Sequence, residues 1–233
     1  MGTASDTSQG EKLLSAVERI LADTASIMAM ADGCRERAKS SGGDEASIRA
    51  RAARMLVSEY STRTAVSGGL SALPGIVPGI GTLVAVAGGA LADVGFLLKF
   101  EVEMALALSH LYEYDIRNET ERQRAFLLAS VSMYDAKSGE NFMMDVARAE
   151  TVALWTYAPR EVSKLLLTVL TRLALRSVTK GVLRAVPFVG IAVSSGMNKV
   201  LTTHVGERCV QELDRRVQQS PASGDVVDAH VRA

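Results

Sequence analysis

The chain has 233 residues, 48% of them apolar and 22% charged, and its 26 Lys and Arg are balanced by 26 Asp and Glu. That is enough apolar residue for a buried core, so a disordered chain is excluded, and the balanced charge argues against a general nucleic-acid binder. Two distant cysteines, Cys34 and Cys209, match no zinc or redox spacing and fit a reducing cytoplasm.

Residues 1–10 carry no apolar stretch of the kind a secretory signal needs, and they read as a disordered start. Residues 11–38 read as one amphipathic helical arm. Leu13, Leu14, Val17, Ile20, Leu21, Ile27, Met28 and Ala31 recur at spacings of three and four. The arm could dock on the body, meet a protein partner or lie on a membrane. Residues 39–44, KSSGGD, form a linker, and Asp44 is placed to cap the helix that opens at Glu45. The rest of the fold is expected over 45–219, with a flexible tail over 220–233.

The helix from Glu45 enters a run, Thr64 to Ala92, in which no residue is charged. Pro74 and Pro78 must interrupt any helix there, because proline lacks the amide donor and clashes with the preceding turn. LPGIVPGIG, 73–81, is therefore a turn between two helices, and the chain resumes as a helix from Thr82 to Tyr114. Further helices are predicted over about 120–134 and 140–157. A long one follows with Pro159 in its first turn. On it, Arg172, Arg176, Lys180 and Arg184 follow at intervals of four and make a basic ridge. A second turn, VPFVG at 186–190, leads into the last helix. No segment alternates with a period of two, so the expected fold is all-α. It is a helical bundle built around two glycine- and proline-punctuated apolar hairpins, with an N-terminal amphipathic helix.

The two turns align, PGIG at 78–81 with PFVG at 187–190, and small residues follow each, which lets two backbones approach closely. The turn LPGIVPGIG resembles the EcsC family of bacterial proteins, named for a component encoded beside an ABC transporter. So do LADVGFLLKFEVEMALALSHLYEYD and KGVLRAVPFVGIAVSSGMNKVLTTHVGERC. The resemblance covers roughly residues 48–213 and rests on Pro78, Gly79, Gly81, Asp93, Lys180, Pro187, Gly190, Asn198 and Gly206. It implies work at or near a membrane, with no particular reaction attached.

A membrane-spanning helix needs about 20 uninterrupted apolar residues, and neither arm of the first hairpin reaches that length. The hairpins are expected either to pack in the core or to dip into lipid. In the second case Leu73, Pro74, Ile76, Val77, Pro78 and Ile80 of the first turn meet the bilayer. Pro187, Phe188 and Val189 of the second turn join them. The ridge Arg172, Arg176, Lys180 and Arg184 then faces anionic headgroups. Against that, the ridge could neutralise Glu101, Glu103, Glu113 or Asp115 across the hairpins. Asp93, inside an apolar helix, needs a partner, and Asn198 is a candidate for a structural polar pair.

No nucleophile elbow, P-loop, HExxH or dinucleotide fingerprint is present, so no catalytic residue, metal ligand or cofactor is assigned. The expected function is a non-enzymatic adaptor or scaffold at the inner face of the cytoplasmic membrane, with an anionic lipid surface as partner and no nucleic acid. One alternative is a hydrolase with a site between the hairpins around Asp93, His110, Asn198 and His204. The other is a soluble cargo or assembly component that docks through residues 11–38.

Overall fold

The computed structural model describes residues 4–70, 89–138, 158–180 and 190–219. Among them are seven helices and no strand: α1 (Ala4–Ile20), α2 (Thr24–Lys39), α3 (Glu45–Leu70), α4 (Gly89–Leu111), α5 (Glu119–Ser138), α6 (Pro159–Lys180) and α7 (Gly190–Gln219). The all-α expectation holds. Both turns, 73–81 and 186–190 up to its final glycine, lie outside the described residues, as do the predicted helix over 140–157 and the tail from 220.

Several helix ends follow from local chemistry. Asp44 Oδ1 accepts the Ser47 amide at 2.9 Å and starts α3, and Pro159 opens α6, where it has no amide to leave unsatisfied. At the end of α4, Glu113 takes a left-handed φ of 68°. The Tyr114 amide then donates to the Ser109 carbonyl at 3.0 Å and the Glu113 amide to the His110 carbonyl at 2.9 Å, closing the helix with a Schellman pattern.

Residues 11–38 are not one helix. The chain breaks at 21–23, and α1 begins earlier than expected, at Ala4. The cause is Asp23, which is extended (φ −63°, ψ 153°) and caps α2 by accepting the Ser26 amide at 2.9 Å and the Ser26 hydroxyl at 2.7 Å. The apolar stripe itself is genuine. Leu13, Val17, Ile27 and Ala31 are all buried in the main core, with α1 packed chiefly along α6 and α2 along α3.

Specific pairs fix how the helices run. Val57 lies against Gly206, while Arg49 stacks on Tyr112, whose hydroxyl donates to Asp214 at 2.7 Å; α3 is therefore antiparallel to α7. Glu101 meets Thr202 as Tyr112 meets Asp214, so α4 is parallel to α7. Asp135 meets Arg208 and Glu121 meets Arg216, so α5 is antiparallel to α7. Gln123 meets Ser163 and Tyr134 meets Arg176, so α6 is parallel to α5. One end of the bundle thus collects the end of α3, the start of α4, the end of α6 and the start of α7. These are the four ends that border residues 71–88 and 181–189.

Candidate functional site

The two ends of the bundle differ in chemistry. At the far end, Arg216 forks onto Glu121 (2.7 and 3.0 Å) and stacks 3.6 Å over the Tyr114 ring, while Arg35 reaches Glu113 at 3.3 Å. Burial acts to raise the Glu121 pKa, but Arg216 and Arg124 outweigh it and hold the carboxyl below its ordinary value. At the turn end, large apolar side chains reach solvent. Val66 near the end of α3 is 59% exposed, Met197 and Val200 near the start of α7 are 63% and 70% exposed, and Leu175 near the end of α6 is also exposed. Arg172 and Lys199, both exposed, stand within three residues of Leu175 and Val200 on the same helices.

Of the residues proposed for a membrane surface, Leu73, Pro74, Ile76, Val77, Pro78, Ile80, Pro187, Phe188, Val189 and Arg184 lie outside the described residues. So do the side chains of Lys180 and Asp93, although both sit on described helices. Arg172 is exposed; Arg176 is half-buried, its guanidinium 4.7 Å over the Tyr134 ring. Asn198 is half-buried on α7. With α4 and α7 in parallel register, the backbone at Asp93 is level with residues 194–195, about one turn before Asn198.

The acids expected to meet the ridge are bonded elsewhere. Glu103 Oε1 accepts Lys99 Nζ at 2.7 Å and the Ala22 amide at 2.6 Å, and Glu113 pairs with Arg35. Asp115 Oδ1 accepts the Arg117 amide at 3.0 Å, and Glu101 Oε1 accepts the Thr202 hydroxyl at 2.7 Å.

The residues of the alternative hydrolase site are not brought together. His110 Nε2 lies 3.0 Å from Asp32 Oδ1 at the polar end, whereas His204 is exposed about two turns away along α7 from the level of His110. Among the described residues no three His, Cys, Asp or Glu side chains gather as a metal site, and no helix is long and apolar enough to cross a membrane.

Sequence reasoning missed the buried polar seam between α4, α5 and α7. Glu101, Ser132, Asp135 and Thr202 are all buried in it, and the Asp135 carboxylate is paired with Arg208 at 3.1 Å; Glu103, also buried, points to the α1–α2 break instead. Their signal was present in FEVEMALAL, 100–108, where two acids stand in an otherwise apolar run. Comparison with family models, curated proteins and solved structures finds no match for this chain.

Proposed function

We propose that this protein is a non-enzymatic adaptor or scaffold of the EcsC type, attached peripherally to the inner face of the cytoplasmic membrane. It binds anionic lipid through its two apolar turns and the basic ridge of α6. The observation that carries this reading is the polarity of the bundle. Four of the five large apolar residues exposed on the described surface, Val66, Leu175, Met197 and Val200, stand in the halves of α3, α6 and α7 that border the two uncharged turns. Scattered apolar exposure is ordinary, but a set gathered at one end beside basic side chains suits a surface that is both greasy and anionic. Each base near such a leaflet contributes about 1 kcal/mol, and full burial of a Val, Leu or Met side chain contributes about 1.5–3 kcal/mol.

Co-sedimentation tests it, with vesicles of neutral phosphatidylcholine alone and with an anionic phospholipid added. The expected result is binding to the anionic vesicles that falls several-fold with salt, and falls again for Met197→Asp with Val200→Asp and for Arg172→Glu with Lys180→Glu. All variants should keep their helical circular dichroism. No binding, or binding indifferent to both pairs of changes, would overturn the reading.

A further inference from the structure

The seam between α4 and α7 holds a carboxyl group with nowhere to place a charge. Glu101 has no exposed surface, and although Oε1 accepts the Thr202 hydroxyl at 2.7 Å, Oε2 is equally buried and has no hydrogen-bond partner. Among the described residues no cation bonds it. On α7, Arg208 is committed to Asp135, and the Cys209 thiol is fully buried. On α5, Ser132 is buried, and Lys137, an exposed cation, acts on Glu101 through its charge. On α3, Tyr60 feels Glu103 rather than Glu101, and Lys99 of α4 itself bonds Glu103. The packing is tight here, since a Cβ on Gly206 would stand 2.7 Å from the Val57 side chain and 3.1 Å from that of Met104.

We propose that Glu101 is a proton-operated latch on the α4–α7 seam. As a neutral acid it lets the two helices pack; loss of its proton leaves a buried, half-solvated charge and loosens the seam. Both helices lead away from the turn end, Glu101 and Thr202 each standing twelve residues beyond the first described residue of its helix. The latch therefore acts on the two helices whose first residues follow 71–88 and 181–189. It depends on the fold and not on what the turns bind.

Burial pushes the Glu101 pKa up from 4.5 to about 8, with the Thr202 bond and Lys137 pulling it back. The folded chain thus keeps a proton that the unfolded chain has already released. Stability contributed by this group is greatest below about pH 4.5, falls as pH rises, and levels off above about pH 8.

The test compares wild type, Glu101→Gln and Thr202→Val between pH 5 and 9, by thermal unfolding and by thiol labelling of Cys209 located by mass spectrometry. Wild type should lose melting temperature through this window, and Glu101→Gln should lose much less. At pH 9 Cys209 should label at least about tenfold faster in wild type than in Glu101→Gln, the ratio that one pKa unit represents, and equally at pH 6. Thr202→Val removes the one bond to the carboxyl, so the midpoint of the wild-type transition should move to higher pH. Parallel melting curves for wild type and Glu101→Gln, or an unmoved midpoint in Thr202→Val, would overturn the latch.

Discussion

Gly206 and Gly33 are both glycines inside helices, yet replacing them with alanine should have opposite effects. A Cβ at Gly206 would stand 2.7 and 2.8 Å from the Val57 methyls and 3.1 Å from Met104 Sδ, whereas one at Gly33 would meet nothing within 4 Å. Alanine gains roughly 1 kcal/mol over glycine in a helix, and overpacking a tight core contact costs about 1–3 kcal/mol. Gly33→Ala should therefore stabilise the fold by about 0.5–1 kcal/mol, and Gly206→Ala, with the overpacking cost set against that gain, should destabilise it by up to about 2 kcal/mol. Urea unfolding measures both, and a stabilised Gly206→Ala would mean that α3 and α7 are less tightly seated than these distances require. The packing also supplies a physical reason for glycine at 206.

Charged side chains pin one helix to the next. Glu103 ties the α1–α2 break to α4 through the Ala22 amide and partners Lys99, itself largely buried. Glu103→Leu strands both donors and should cost about 2–4 kcal/mol, while Glu103→Gln keeps an acceptor for Ala22 and should cost roughly half as much. Equal costs for the two variants would show that the amide bond holds nothing. Arg216 similarly anchors the end of α7 to the start of α5, and Arg216→Lys gives up the two-pronged geometry that a carboxylate matches. Because the Glu121 pKa is depressed, that pair stabilises above the ordinary carboxylate value and its contribution is lost as pH falls below it. Acid denaturation of Arg216→Lys should therefore begin at higher pH than that of wild type, and coincident acid transitions would remove the pair from the account of stability.

For the molecule as a whole, residues 11–38 are part of the core and not an appendage. Leu13, Val17 and Ile27 are at most 2% exposed. At about 1.5–3 kcal/mol each they contribute roughly 5–9 kcal/mol, comparable to the 5–15 kcal/mol that separates a typical folded domain from its unfolded state. Removing residues 1–39 should abolish cooperative thermal unfolding and expose apolar surface to a dye such as ANS. A truncated chain that still melts cooperatively within a few degrees of wild type would restore the arm as a separate docking element. The apolar stripe of that arm is spent inside the bundle.

The all-α class, the caps at Asp44 and Pro159 and the core stripes of α1 and α2 were legible in the sequence, because local periodicity and terminal hydrogen bonding are written within a few residues of each element. The break at 21–23 was not, since the apolar spacing runs through it unbroken and only the capping geometry of Asp23 reveals the turn. Nor were the separate roles of Glu101 and Glu103. Two residues apart on a helix they point some 200° away from each other. One therefore enters the α7 seam and the other meets the α1–α2 break. Which face of α4 meets which neighbour depends on the order in which seven helices stack, and no local pattern records that. By itself the sequence determined a helical chain with two uncharged, proline-containing stretches, 73–81 and 186–190. Only tertiary packing decided that the helix ends bordering both turns share one end of the bundle, and that a lone carboxyl lies buried between the helices leading from them.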